Sequence, residues 1–175
     1  MFEYKGLSFR KLRRSDLDSL ETLKNESWFG THTIAFVNNE DQNRWFDSLD
    51  QNVSNPKNLM LHVSVPSIDI GLYKISSIDW INRSADVAWD VFKSQRGKGH
   101  GKKIVLSGAQ FCFQMLNLRR LNAEILETNV SSQKCAENAG FVKEGCKRKA
   151  VHSREAEDSF VDSWVYGCLR ETAVR

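Results

Sequence analysis

One short segment combines alternating glycines with cationic side chains: Arg96-Gly97-Lys98-Gly99-His100-Gly101. Glycine has no Cβ, so the backbone of such a loop can approach a ligand closely. Its amides, together with the free N–H groups at the start of a following helix, favour an anion. Arg96, Lys98, Lys102 and Lys103 add positive charge around that point. The segment therefore predicts a phosphate site, and we interpret its ligand as a pyrophosphate.

The segments on either side of this loop predict a strand and a helix. Residues 86–92 alternate between apolar and polar side chains, as a strand does. Residues 102–117 carry an apolar face wide enough to pack against a sheet. A further alternating segment, 121–126, follows closely, and this strand, helix, strand order predicts a right-handed parallel crossover.

The rest of the chain predicts a mixed sheet with further short helices. Other strands are expected at 7–12, 59–65, 70–78, 141–150 and 160–169, and other helices at about 16–25, 39–49 and 129–140. The chain has 175 residues, 41% of them hydrophobic, which is enough for one sizeable core. We therefore expect a single domain, residues 1–175, of the α/β (α+β) class with about seven strands and about four helices.

Charge, cysteine content and hydropathy exclude several classes of protein. The net charge is +3, from 25 basic and 22 acidic residues, so nothing requires a nucleic acid as partner. The cysteines form no C-x-x-C pair and the histidines no metal-ligand spacing, which indicates reduced thiols and no metal ion. No apolar run approaches the length of a membrane span, and the N-terminus has no signal core. We expect a cytoplasmic protein without a membrane partner.

Several of these features together resemble the Gcn5-related N-acetyltransferase (GNAT) superfamily. Arg96-x-x-Gly99-x-Gly101 fits its acetyl-CoA signature, at the expected place between the fourth strand and the third helix. Asn129-x-x-Ser132, followed by Gly140-Phe141, is similar to a second family segment. The C-terminal part resembles the ribosomal-protein N-terminal acetyltransferases of RimJ/RimL type and related aminosugar N-acetyltransferases. The resemblance is close over residues 70–169 and implies a sheet whose parallel strands 4 and 5 splay apart at the acetyl-CoA site.

The resemblance also implies where acetyl-CoA binds. Backbone amides of the loop and of the helix start would hold its pyrophosphate, and the loop side chains complete the cofactor site; the residues are Arg96, Gly97, Lys98, Gly99, His100, Gly101 and Lys102. His100 replaces the apolar residue usual in the signature, and we interpret its side chain as facing solvent rather than catalysing a step.

The pantetheine arm would run along the strand before the loop. The resemblance implies that Val91 and Lys93 hydrogen-bond it in the manner of an added strand. The Val91 amide would also donate to the thioester carbonyl oxygen and stabilise the negative charge that develops there during the reaction. Asn129 and Ser132 would lie beside the pantetheine or the departing sulfur, although Asn129 equally suits the N-cap of a helix.

Acetyl transfer to an alkyl ammonium requires loss of a proton, so a carboxylate facing the acceptor is the useful residue type. Asp86 occupies the strand position at which many relatives carry a glutamate base, and its shorter side chain favours a bridging water. Period-two geometry places Asp90 on the same strand face. Glu124 and Glu127 are further candidates. Each of these could instead be a solvated or salt-bridged surface carboxylate.

One residue departs from the family pattern. Many members carry a tyrosine seven residues after the asparagine, as the acid that protonates the CoA thiolate, whereas this chain has Ala136. Ser132, a water molecule or no specific acid remain open for this role, because a thiolate is already a fair leaving group.

The acceptor site is expected in the segments that least resemble the family. The predicted substrate-binding residues are three aromatic side chains that would line a cleft and one carboxylate: Trp28, Phe29, Trp80 and Asp90. We interpret Trp45 and Phe46 as helix packing instead. The acceptor would be the N-terminal amine of a protein or a small amine such as a nucleotide-linked aminosugar, and the sequence leaves both open.

We therefore expect an acetyl-CoA-dependent N-acetyltransferase in which the amine attacks directly within a ternary complex, as a monomer or homodimer. The alternative is an acyl-CoA-binding sensor or scaffold without catalysis. The missing tyrosine favours that alternative, whereas Asp86 and the intact loop disfavour it. A dinucleotide-binding fold is excluded because the glycine loop falls late in the chain, after a series of hairpin strands.

Overall fold

A computed structural model describes residues 1–25, 38–49, 53–152 and 159–173. The strands of this part of the chain are β1 Phe2–Tyr4, β2 Leu7–Lys11, β3 Leu59–Val65, β4 Ile68–Asp79, β5 Ser84–Val91, β6 Arg120–Leu126, β7 Val142–His152 and β8 Phe160–Leu169. The helices are α1 Leu17–Asn25, α2 Asn39–Asp47, α3 His100–Gln114 and α4 Val130–Asn138, with short 3-10 turns at Arg14–Asp16 and Lys93–Gln95.

The strands form one mixed sheet in the order β1-β2-β3-β4-β5-β6-β8-β7. All neighbouring pairs are antiparallel except β5 and β6, which run parallel through the α3 crossover. The predicted fold class and helix number are confirmed. The sheet has eight strands rather than about seven, because Phe2–Tyr4 pairs with β2 across a tight turn at Lys5 and Gly6, with φ angles of 49° and 78°. A strand of three residues is too short to show alternation in a sequence.

The two parallel strands, predicted as strands 4 and 5, are β5 and β6, and they separate where the acetyl-CoA site was expected. Their paired register covers only the start of β5, from Ser84 opposite Arg120 to Asp86 opposite Asn122. Beyond that point β5 continues to Val91 and β6 to Leu126 without pairing to each other. The predicted splay is thus confirmed, and it leaves one backbone edge of β5 without a strand partner.

Two apolar clusters cover the two faces of the sheet. The larger cluster lies under α3 and α4 and includes Tyr73, Ile104, Leu121 and Tyr166. Within it, α3 approaches β4 closely, because a Cβ at Gly108 would lie 2.4 Å from the Tyr73 ring. At the start of α3, a Cβ at Gly101 would lie 3.7 Å from Cγ2 of Val91, so the first turn of this helix lies beside the end of β5.

The second cluster covers the opposite face, over β3 and β4. Its buried members come from the chain around α1 and from the two strands: Leu12, Leu17, Leu20, Leu23, Met60 and Leu72. Trp45 and Phe46 of α2 pack against it, as their interpretation as packing residues requires. Phe92, just after β5, packs on the same cluster. None of the helices within the described ranges is both long and apolar enough to span a membrane.

Candidate active site

A cleft of about 510 Å³ opens at the end of β5, where this strand parts from β6. It is lined by the last residues of β5, the glycine loop and the first turns of α3 and α4. The predicted site residues that the structure brings together here are Asp90, Val91, Arg96, Gly97, Gly99, His100, Gly101, Lys102, Asn129 and Ser132. Residues separated by up to about forty positions in the sequence therefore meet in one cleft.

The glycine loop has the backbone that its glycines predict. Gly97 and Gly99 have φ angles of 75° and 78°, in the left-handed region, and nothing lies within 4 Å of a Cβ built at either residue. Glycine is therefore needed there for backbone conformation rather than for space. Gly99 is the N-cap of α3 and offers no side chain to its first turn. The free N–H groups of that turn, with the positive end of the helix dipole, favour an anion at the cleft.

Arg96 ties the loop to the preceding strand. Its Nε donates to the main-chain carbonyl of Val91 at 3.0 Å, and its half-buried side chain lines the cleft. Lys102 adds a second positive charge to the lining. Lys98 is not part of the lining itself; its exposed side chain donates from Nζ to Oε1 of the lining residue Gln95 at 3.2 Å. His100 does line the cleft and is half-buried, so it is less exposed than expected.

The free edge of β5 carries backbone groups that face the gap. The Phe92 amide donates to the Ile70 carbonyl at 3.0 Å, so the backbone of alternate residues, Phe92 and Asp90, faces β4. By the same alternation, the amides of Val91 and Trp89 face the side where β6 has moved away. Trp89 also lines the cleft. Trp89 was not among the predicted site residues, although it lies two positions before Val91, and residues two apart on a strand share the same orientation.

Lys93 is not brought to the cleft. It begins the 3-10 turn Lys93–Gln95, its carbonyl accepts from the Arg96 amide at 3.3 Å, and it does not line the cavity. Pairing with a strand-like ligand requires extended backbone, and that backbone ends before this turn. The cleft residues Val91 and Trp89 are therefore better placed than Lys93 to pair with a pantetheine arm.

The start of α4 closes the other side of the cleft. Oδ1 of Asn129 accepts from the Ser132 amide at 3.1 Å, which makes Asn129 the N-cap, and both residues line the cavity. Ala136, at the position of the family tyrosine, is fully buried. Cys135 lines the cleft beside it, and its Sγ would lie 3.1 Å from a Cβ at Gly101. Burial raises the pKa of the Cys135 thiol, which disfavours a thiolate there.

The candidate carboxylates differ in their surroundings. Asp86 is exposed, accepts from Nδ2 of Asn122 at 3.2 Å and does not line the cleft. Asp90 is half-buried and lines it. Burial raises the pKa of Asp90 from its ordinary 3.8 to about 7, although the nearby Arg96 charge opposes the rise. Glu124 pairs with Lys147 at 2.5 Å, and Glu127 accepts from the Asp162 amide, so both are engaged elsewhere.

The predicted acceptor residues are less well assembled. Trp80 lies at the turn between β4 and β5, donates from Nε1 to the Pro56 carbonyl at 3.1 Å and is not part of the cleft lining. Trp28 and Phe29 lie outside the described residues. No three histidine, cysteine, aspartate or glutamate side chains converge as a metal site within the ranges that the structure describes.

Comparison with known proteins identifies relatives of this chain. The family model for the acetyltransferase (GNAT) domain matches residues 7–142. A spermidine N(1)-acetyltransferase of Vibrio cholerae is 25% identical over 149 residues, covering 79% of this chain and 80% of the relative. The uncharacterized SPbeta prophage-derived N-acetyltransferase YokL of Bacillus subtilis is 23% identical, covering 95% and 91%.

A solved structure shares the whole fold. The crystal structure of spermidine N-acetyltransferase from Vibrio cholerae, in complex with CoA and spermine, superposes with a TM-score of 0.85. The identity is 20%, and the match covers 97% of this chain and 98% of the other. These matches confirm the recognised superfamily, whereas the finer placement with the RimJ/RimL branch stays a prediction.

Proposed function

Because the chain belongs to the GNAT acetyltransferase family, we propose that it transfers the acetyl group of acetyl-CoA to the primary amine of a small molecule. The observation that carries the proposal is the cleft at the end of β5. It joins a glycine loop that favours an anion, a strand edge with free amides and a half-buried carboxylate. Acetyl-CoA has a pyrophosphate, a strand-like pantetheine arm and a reactive thioester in the same order.

The cofactor residues would act mainly through their backbone. The amides of Gly97, Gly99, Gly101 and Lys102 would hold the pyrophosphate at the start of α3, with the Arg96 and Lys102 charges beside it. The amides of Val91 and Trp89 would pair with the pantetheine arm and polarise the thioester carbonyl, so Val91 keeps its proposed part in oxyanion stabilisation.

The thiolate side of the reaction would lie at α4. Asn129 shapes this side by capping the helix, and Ser132 lies next to it in the cleft. The Ser132 hydroxyl can donate a proton or a hydrogen bond to the departing sulfur. No tyrosine is needed for this step, because a thiolate is already a fair leaving group.

A small cationic amine suits the acceptor side better than a peptide. Asp86 and Asp90 lie on one face of β5, so negative charge follows this face of the sheet toward the cleft. Carboxylates attract an alkyl ammonium and can remove its proton. The named activity of the Vibrio cholerae relative, on spermidine, supports a small amine as acceptor. We propose that one domain, residues 1–175, performs the whole reaction.

The acceptor class is tested by incubating the protein with acetyl-CoA and one mixture of spermidine, putrescine, a nucleotide-linked aminosugar and peptides with free N-termini. Mass spectrometry of the products identifies which compound gains an acetyl group. We expect an acetylated small amine. Acetylation of the peptides alone would instead favour the N-terminal acetyltransferases, and tight CoA binding without any acetylated product would favour the sensor.

A further inference from the structure

We propose that Asp90, rather than Asp86, binds the reacting ammonium and accepts its proton. This inference rests on the proposed function and names the general base of that reaction. It follows from where the two carboxylates lie along β5, from what covers each, and from the lack of a hydrogen-bond donor to Asp90 in the part of the chain that the structure describes.

The side chain of Asp90 lies between an apolar cluster and the cleft. The strand register places Asp90 opposite Leu72, which is 3% exposed and belongs to the cluster under α1 and α2. Phe92, two residues further on the same face, packs against that cluster. Asp90 also lines the cleft. Its carboxyl group is therefore partly shielded from water at the end of β5 where the backbone amides of Val91 and Trp89 face the gap.

Among the described residues, no hydrogen-bond donor offsets the burial of the Asp90 carboxylate. No side chain or amide of the described residues donates a hydrogen bond to its carboxylate, and the charge of Arg96 lies nearby and opposes the rise in its pKa. Arg96 itself donates from Nε to the Val91 carbonyl. A carboxylate removed from water without a partner is unfavourable, so such residues are rare in interiors. A cationic ligand in the cleft would supply the missing partner.

The acidity of Asp90 suits proton transfer near neutral pH. Burial raises its pKa to about 7, and a base is most effective when its pKa lies near the working pH. An ordinary surface carboxylate has a pKa near 4 and is a much weaker base toward an alkyl ammonium. Perturbed carboxylates in clefts are frequent at catalytic sites.

Asp86 lacks these properties although it shares the strand face. It is exposed, it accepts a hydrogen bond from Asn122, and it lies outside the cleft lining. Four residues of strand separate it from Asp90, a distance of roughly 13 Å. One ammonium therefore cannot contact both groups, and Asp86 is left to bind a more distant part of the acceptor.

The proposed proton transfer balances as follows. The Asp90 carboxylate takes one proton from the bound ammonium, which gives a neutral amine and a carboxylic acid. The amine nitrogen then forms a bond to the thioester carbonyl carbon, and the C–S bond breaks. The second proton lost from the nitrogen goes to the thiolate, directly or through Ser132 or water. Asp90 finally releases its proton to solvent.

The test compares Asp90→Asn with Asp86→Asn, the same change on the same strand face. For the amine that wild type acetylates, kcat/KM is measured between pH 6 and pH 10, with CoA affinity measured by calorimetry. We expect Asp90→Asn to lose about 100-fold or more at neutral pH, and Asp86→Asn less than about tenfold. Asp90→Asn should bind CoA normally, and its remaining rate should rise with pH as free neutral amine accumulates. Asp90→Glu should restore part of the rate.

Each outcome bears on one proposal. The Asp90 proposal is overturned if Asp90→Asn keeps wild-type turnover, or if Asp86→Asn loses as much activity as Asp90→Asn. A loss in Asp90→Asn that comes with equally weakened CoA binding also overturns it, because it would show a structural role. If wild type acetylates no amine at all, the proposed function itself fails, and that result is visible before any variant is made.

Discussion

The Nε atom of Arg96 donates to the main-chain carbonyl of Val91 at 3.0 Å, so the first residue of the glycine loop is fastened to the last residue of β5. This contact links the two parts of the cleft that a long cofactor would have to engage together. The loop favours the anionic end, and the strand edge beside Val91 offers amides to the arm. The contact adds to the backbone hydrogen bonds of the turn between these two parts, in which the Gln95 amide donates to the Phe92 carbonyl at 2.7 Å.

Replacing Arg96 by alanine is therefore expected to weaken CoA binding. The variant loses a charge at the cleft and the side-chain hydrogen bond to the Val91 carbonyl, and a hydrogen bond made by a charged group contributes about 1.5–3 kcal/mol. We expect the Kd for CoA, measured by calorimetry, to rise at least about tenfold. Arg96→Lys should recover less than half of this free energy, because lysine lacks the planar fork of donors. An unchanged Kd in Arg96→Ala would contradict the proposed place of the cofactor.

Gly101→Ala tests the narrow contact between α3 and α4. Alanine usually stabilises a helix relative to glycine by up to about 1 kcal/mol. Here the new Cβ would lie 3.1 Å from Sγ of Cys135, at the cleft wall. We expect the thermal midpoint to stay near that of wild type and the affinity for CoA to fall. Combining the change with Cys135→Ala should restore the affinity.

The matched control is Gly145→Ala, because no atom lies within 4 Å of a Cβ at this exposed residue of β7. It should leave CoA affinity unchanged. A double-mutant cycle on Gly101 and Cys135 should show a coupling energy of at least about 0.5 kcal/mol. Strict additivity of the two changes would show that they do not share a contact.

Asn129→Ala separates helix capping from cofactor binding when it is compared with Asn38→Ala. Both side chains cap a helix: Oδ1 of Asn129 accepts from the Ser132 amide at 3.1 Å, and Oδ1 of Asn38 from the Asp41 amide at 2.9 Å. Loss of such a cap costs about 1 kcal/mol. We expect similar losses in the free energy of unfolding, measured with denaturant.

Only Asn129→Ala should also weaken CoA binding, because Asn129 lines the cleft and Asn38 does not. Asn129→Ser, which keeps a capping oxygen, should recover most of the stability. Equal CoA affinity in all three variants would limit Asn129 to a structural role.

Much of the fold could be predicted from the sequence, because the signals were local. The alternation in β5 and the apolar face of α3 are each visible within the sequence of a single element, and glycine favours the positive φ angles that the loop adopts. The short strand β1 was missed because three residues show no period. The resemblance implied that Lys93 pairs with the pantetheine arm, but the chain turns there, and tight turns without glycine or proline are hard to recognise.

The unpredicted part of the site depends on contacts between distant segments. Trp80 looks like a cleft residue in the sequence, but its Nε1 donates to the carbonyl of Pro56, 24 residues away. Asp90 lies opposite Leu72 of the neighbouring strand, and Leu72 is buried in a cluster with side chains of α1 and α2. Period two placed Asp86 and Asp90 on one face, yet it could not show which of them packing would shield from water.

Asp90 also makes the stability of the protein depend on pH. Its pKa is about 7 in the folded protein and near 3.8 when the chain is unfolded. The folded state therefore binds more protons between these values, so this group's contribution is fully present below pH 4 and is lost as the pH rises to about 7. Asp90→Asn should raise the thermal midpoint at pH 8 and change it little at pH 4.

Asp162→Asn provides the opposite case. The Lys149 amide donates to its carboxylate at 2.7 Å and holds the pKa of Asp162 below its ordinary value. That stabilisation is present above the unfolded pKa and is lost in acid, so Asp162→Asn should lower the thermal midpoint at pH 8 and have less effect at low pH.

The two variants should therefore shift the thermal midpoint at pH 8 in opposite directions. If Asp90→Asn instead lowered the midpoint at pH 8, the Asp90 carboxylate would have a stabilising partner in the folded protein.

The central claim is that this cleft catalyses acetyl transfer from acetyl-CoA to an amine. The most direct measurement is the initial rate of CoA thiol release by wild type and by Arg96→Ala, with and without a small amine such as spermidine. We predict release that requires the amine, saturates with acetyl-CoA and needs a higher acetyl-CoA concentration in Arg96→Ala. Release independent of the amine, or none with any amine while CoA binds tightly, would contradict the account.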